Sequence, residues 1–278
     1  MVLKAIRASL IIVFITIAIL YASLRIIDPL GAYTSVYNWH VLTGLWQADG
    51  NGYIYPSGKI YLRGYTATIL RDGLRFVPDS SPISDCLIAF IGDSFTWGYG
   101  VSDENTFVND IANKYSYRVW NVGHNGYNAE QVWASRQDYQ ADGYIYLHIW
   151  NDHQAPVEVS KQAGQPNIFS VYWTYLKLDI VSHYAKIAQA APIGNAYKEA
   201  MQKLHEDDRV LIFAFEDKQY NQLGSQASAL WESVILLSDD LYSHDVVSPT
   251  DPHPNRLGHQ QIADAMLPII DDWLVDIC

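Results

Sequence analysis

Four short stretches of the chain carry the residue types of acyl-transfer chemistry. Gly92-Asp93-Ser94 follows one apolar run and Asn121-Val122-Gly123-His124-Asn125-Gly126 follows a second. Asn151-Asp152 follows a third, and Asp251-Pro252-His253-Pro254-Asn255 stands near the C-terminal end. A serine such as Ser94 becomes a nucleophile when a nearby histidine takes its proton. The histidine in turn needs a carboxylate that fixes its tautomer and stabilises the imidazolium. A tetrahedral intermediate needs donors aimed at its oxyanion. The backbone N–H of Ser94, that of Gly126 and the side-chain amide of Asn151 supply three. Glycine at 126 permits close backbone approach and a positive φ.

Each block also has a plainer reading taken alone. Ser94 suits a helix N-cap, Gly123 and Gly126 suit turns, and Asn151-Asp152 suits a strand end. Asp93 is expected to brace the loop around Ser94. His124, His148 and His153 are each readable as core or rim histidines. His253 and His259 resemble half of a zinc site but have no further ligand at suitable spacing. No metal and no cofactor is expected.

The elements that must position these blocks follow from hydrophobic patterning. Strands are expected at Cys86–Ile91, Arg118–Val122, Tyr144–Ile149, Val210–Phe215 and Val234–Leu237. Helices are expected near Thr106–Tyr115, Ala129–Tyr139, Val171–Ala190, Asn195–His205, Ala227–Trp231 and from about Leu257 to Val275. Strands alternating with helices make an α/β fold, a parallel sheet with helices on both faces. In such a sheet ligands bind beyond the carboxyl ends of the strands, where the first three blocks stand.

The ordered set Gly92-Asp93-Ser94, Asn121…Gly126, Asn151-Asp152 and Asp251…His253-Pro254-Asn255…Gly258-His259 resembles the SGNH (GDSL) hydrolases over roughly residues 85–275. The resemblance implies a flavodoxin-like three-layer α/β/α sandwich and a Ser–His–Asp esterase or acyltransferase without a metal. By position it makes Ser94 the nucleophile, His253 the base, Asp251 the acid, and Gly126 and Asn151 oxyanion-hole donors with Ser94. Two departures stand out. Only Pro252 separates Asp251 from His253, where many members have two residues, which requires an extended or turn-like backbone; Asp245 is the reserve acid. The glycine that often precedes the asparagine is Trp150, expected to narrow the pocket mouth.

Upstream, Ala8–Leu24 holds no charge and follows Lys4 and Arg7, which reads as a membrane-spanning anchor over residues 1–27 in preference to a cleaved signal peptide. Residues 28–84 read as a small β-rich extension: Tyr53–Tyr55 and Lys59–Leu62 are expected to pair across Pro56-Ser57-Gly58, and Thr66–Leu70 with Leu74–Val77. Residues 85–278 form the hydrolase domain. Within it the long passage 154–205 is expected to pack on the sheet, with a lid over Ser94 as the second reading.

Charge and cysteines narrow the class. The chain has 278 residues and a net charge of −12; its first 27 carry +3, leaving −15 on the body, which excludes a nucleic-acid partner. Two cysteines do not make a disulfide framework. Cys86 reads first as a buried thiol, and a Cys86–Cys278 bridge is the lower-ranked reading. The expected activity is removal of O-acyl groups, acetyl above all, from a glycan or small molecule outside the cytoplasm, with the membrane engaged through the N-terminal helix. O-acetyl transfer to an envelope polysaccharide is the close alternative, then a lipase or thioesterase, and last a non-catalytic glycan-binding module.

Overall fold

All five apolar runs of the body become strands of one parallel sheet. The computed structural model describes residues 2–28, 30–49, 52–81, 83–115, 117–149, 151–154, 194–216, 234–241 and 244–278. Helices α1 (Val2–Ile27) and α2 (Ala32–Leu45) come first, then β1 (Gln47–Asp49), β2 (Gly52–Ile54), β3 (Gly58–Tyr61) and β4 (Thr66–Ile69). The body runs β5 (Leu87–Gly92), α3 (Ser94–Trp97), α4 (Phe107–Lys114), β6 (Arg118–Asn121), α5 (Ala129–Asp138), β7 (Gly143–His148), α6 (Asn195–Glu206), β8 (Val210–Glu216) and β9 (Ile235–Ser238). A hairpin of β10 (Val246–Ser248) and β11 (Asp251–Pro254) and the long α7 (Arg256–Ile277) close the chain. The helices expected at Val171–Ala190 and Ala227–Trp231 lie outside the described residues, as do Trp150 and most of 154–205.

The strand order is β6-β5-β7-β8-β9, all parallel, which is the flavodoxin-like order. The chain leaves β5 for the neighbour on one side and then crosses to the neighbour on the other. Right-handed crossovers therefore place α4 and α5 on opposite faces. Helix α4 packs with α7 and α5 with α6, and every residue of β5 and β7 is buried between these layers. The carboxyl end of β5 is the switch point of the sheet, where a crevice opens because the chain departs in two directions.

Residues 30–83 depart from the expected β-rich stretch. They open with α2, whose sequence has no one-sided apolar stripe to announce it. The Asp28 carboxylate caps its first turn, accepting from Tyr33 N at 3.0 Å and Thr34 N at 2.7 Å. The hairpins also pair differently: β2 pairs with β1, and β3 with β4, so Tyr53–Tyr55 and Lys59–Leu62 are not partners. Tertiary contacts decide this. Tyr53 stacks on Trp46 at 3.8 Å, and both belong to the core cluster that includes Ile88 and Phe90. The second expected hairpin survives as an Ile69–Arg75 bridge, and Arg75 bridges on to Asn121 at the end of β6.

Two expectations at the ends of the chain are corrected. Among the described residues no helix is long and apolar enough to cross a membrane, so the expected spanning helix is not found there. Helix α1 does expose Leu10, Ile12 and Phe14, Phe14 by 73%. Cys86 is not a thiol but is bonded to Cys278, with Cα atoms 5.8 Å apart, inside the usual disulfide range. Helix α7 runs back along the sheet and delivers the terminal residue to the start of β5, a proximity that spacing in the chain does not reveal. The bond closes a long loop of the unfolded chain, so Cys278→Ser should lower stability by about 2–4 kcal/mol. Urea unfolding checks this: the difference from wild type should appear without reductant and vanish with it.

Candidate active site

Strand β5 ends in a turn that presents Ser94 as the first residue of α3. Asp93 caps this short helix, its Oδ1 accepting from Phe95 N at 2.9 Å. Ser94 Oγ stands 2.8 Å from His253 Nε2, and His253 Nδ1 is 2.6 Å from Asp251 Oδ1. The short Asp-Pro-His step is explained by β11: along a strand, residues two apart face the same side. Asp245 turns away, accepting from Gln261 Nε2 at 2.9 Å on α7, so the reserve acid lies outside this chain of bonds. Asn255 caps α7, accepting from Leu257 N and Gly258 N, and so fixes where the hairpin ends.

The electrostatics suit proton transfer. Burial pushes the His253 imidazole down, but the Asp251 carboxylate and then the Asp93 charge more than offset it, leaving its pKa raised. Burial likewise works against the charge of Asp251, yet His253 holds its pKa below the ordinary carboxylate value. Ser94 Oγ can therefore give its proton to a neutral His253 while attacking an acyl carbon, and the imidazolium formed faces an ionised Asp251.

A second acceptor competes for that proton. Asp93 Oδ2 lies 2.9 Å from Ser94 Oγ, so Asp93 does more than brace the loop. Burial raises its pKa. Asp152, buried nearby, is raised by burial and then by the Asp93 charge, while Tyr146 Oη donates to it at 2.7 Å and Ile149 N at 3.1 Å. Ser94 Oγ thus sits against a buried acidic pair.

Gly126 and Asn151 lie on the loops after β6 and β7, the two strands that flank β5. Gly126 has φ 80°, the left-handed conformation anticipated for it. The Gly126 loop is tied to the Ser94 turn by His124 N to Gly92 O at 3.1 Å and Asn121 Nδ2 to Thr96 O at 2.8 Å. It is tied to the Asn151 loop by Ala129 N to Asp152 O at 3.0 Å and Asn128 Nδ2 to Gln154 O at 2.9 Å. The amide oxygen of Asn151 is buried without a partner.

The remaining histidines take the plainer role. Burial lowers His124 to about 4 and His148 to about 3, so both are neutral near pH 7. His148 Nε2 meets Tyr197 Oη at 3.0 Å, and His153 packs edge-on against the same ring. His259 Nδ1 accepts from Phe107 N at 3.2 Å and stacks on that ring, so it faces α4 rather than forming a pair with His253.

Several supporting residues escaped the sequence reading. Arg75 is wholly buried, pairs with Asp103 at 2.9 Å, and donates to the carbonyls of Trp97, Gly98 and Val101 at 2.5–2.6 Å. It thereby fixes the far end of α3. Tyr55 Oη accepts from Asn125 Nδ2 at 2.8 Å, and Tyr53 Oη donates to Asn125 O, so β2 and the residue after it clamp the Gly126 loop. Tyr99 lays its ring 4.4 Å from the His253 ring. None of these carries a local motif.

Because the Asp93 charge helps raise His253, Asp93→Asn should lower the imidazole pKa while asparagine keeps the cap. The base acts when neutral, so the acid limb of the kcat/KM–pH profile should move to lower pH; an unmoved limb would show that Asp93 and His253 are not coupled. No family model matches the chain, and no curated protein is similar to it. Solved structures similar to it include a family two carbohydrate esterase from Cellvibrio japonicus, 17% identical, covering 73% of this chain and 66% of that one with TM-score 0.40. Another is a family two carbohydrate esterase from Clostridium thermocellum in complex with cellohexaose, 13% identical, covering 68% and 65%, TM-score 0.40. A third is a psychrotrophic esterase from Pseudoalteromonas sp., 15% identical, covering 68% and 99%, TM-score 0.39.

Proposed function

We propose that the protein is a serine esterase that removes O-acyl groups, acetyl above all, from a glycan outside the cytoplasm. The observation that carries this reading is the unbroken line from Asp251 through His253 to Ser94 Oγ. Ser94 Oγ attacks the ester carbonyl carbon as its proton passes to His253 Nε2. The oxyanion is held by the N–H groups of Ser94 and Gly126 and the Asn151 amide. The bond to the alcohol then breaks as Nε2 returns the proton to the leaving oxygen. Water repeats the sequence on the acyl-enzyme and releases the acid. His253 is 21% exposed at its side chain, which leaves it within reach of both the leaving alcohol and the incoming water.

The location is supported by the Cys86–Cys278 bond, since disulfides persist in oxidising compartments. We read α1, with its exposed apolar side chains, as the element that holds the protein at a membrane. Sedimented membranes should carry the full chain but not a form lacking residues 1–27; a full chain that stays in the supernatant would remove this part of the reading.

Activity has its own test. A fluorophosphonate should label wild type but not Ser94→Ala, and Asn151→Ala should lose about 10²–10³ in kcat. Acetylated glycans should release acetate with or without a sugar acceptor. Acetate that appears on the acceptor instead makes the enzyme a transferase, and a preference for long-chain esters makes it a lipase. A folded wild type that takes no label would be a binding module.

A further inference from the structure

The Asp251 carboxylate is 3% exposed and only half satisfied. Its Oδ1 receives His253 Nδ1 at 2.6 Å and His253 N at 3.2 Å. Its Oδ2 is buried and has no hydrogen-bond partner among the described residues. A carboxylate oxygen left in that state is costly, because it has lost water without gaining a donor. The Ser35 hydroxyl on α2 is, beside His253, the side-chain donor whose interaction with this carboxylate favours its charge. A serine hydroxyl swings about a single torsion, so contact without an aligned bond is closed by a small rotation.

Ser35 is held against the site from several directions. Its carbonyl accepts from Tyr99 Oη at 2.9 Å, and Tyr99 lies along the His253 ring. Just before it, Thr250 Oγ1 donates to Leu30 O at 2.7 Å, joining the residue next to Asp251 to the turn that starts α2. Gly31 fits there with φ 68°, where a Cβ would lie 2.4 Å from Ser248 Cβ. The start of α2 is thus docked along the β10–β11 hairpin.

We propose that Ser35 is a positioning residue for the triad: its hydroxyl donates to Asp251 Oδ2 and holds the carboxylate so that Oδ1 meets His253 Nδ1. This rests on the esterase reading above. The charged groups facing His253 are Asp251 and Asp93, while Tyr65 and Tyr99, which face the same carboxylate, stay neutral through burial. Losing the Ser35 proton leaves a more basic carboxylate beside the imidazole and draws the imidazolium tighter.

The test uses the full chain in detergent, with an activated acetyl ester, across pH. Alanine favours a helix, so Ser35→Ala should still fold, with its thermal midpoint lowered only by the loss of one donor to a buried carboxylate. It should lose about tenfold in kcat with KM little changed, and its acid limb should move to higher pH. Ser35→Thr, which keeps the hydroxyl at a half-buried position, should restore both. A Ser35→Ala enzyme with wild-type kcat and an unmoved limb overturns the proposal. So does a loss of kcat with an unmoved limb that threonine does not repair, which would mean that α2 contributes packing alone. A folded wild type that takes no fluorophosphonate removes the esterase reading itself, and is told apart from either result.

Discussion

The site depends on keeping one carboxylate charged inside the protein. Asp251 has a side chain only 2% exposed, where burial favours the neutral acid. The imidazole 2.6 Å away reverses that preference, and the same pairing raises the basicity of His253 against its own desolvation. Removing either partner leaves an uncompensated polar group rather than a gap, so the pair has to be held from outside. The hairpin β10–β11, the caps at Asn255 and Asp28 and the docked start of α2 are arranged around that requirement.

Ser94 is held by a different set of contacts. Asp93 caps α3 at its start, and Arg75 gathers three carbonyls at and beyond its end. Tyr53 and Tyr55 brace the Gly126 loop through Asn125. Arg75 and both tyrosines precede the sheet in the chain, and their side chains reach the loops at the carboxyl ends of β5 and β6. Residues 30–83 share the core cluster of the sheet and supply part of the support for the chemistry.

What was legible in the sequence follows from how each feature is encoded. Strands β5 to β9 were placed to within about a residue because each is written as a short apolar run, and β5 and β7 are buried along their whole length. Ser94, Gly126, Asn151 and His253 were legible because such runs end at them or because a recognisable block surrounds them. The Asp-Pro-His step read as a departure and became intelligible once β11 showed both side chains on one face. Arg75, Ser35 and Tyr55 were invisible because each acts through contacts distant in the chain that leave no periodicity or spacing. Helix α2 shows no stripe, the β1–β2 and β3–β4 pairings are chosen by tertiary packing, and the Cys86–Cys278 contact exists only after α7 returns along the sheet.

The central claim is that Ser94 carries the acyl group between ester and water. The direct measurement is peptide mapping by mass spectrometry after wild type is mixed with an activated acetyl ester and quenched in acid. The account predicts a single acetyl group on the peptide containing Ser94, absent when the reaction runs to completion before quenching. Turnover with no acetylated peptide, or with the acetyl group on another residue, would contradict it.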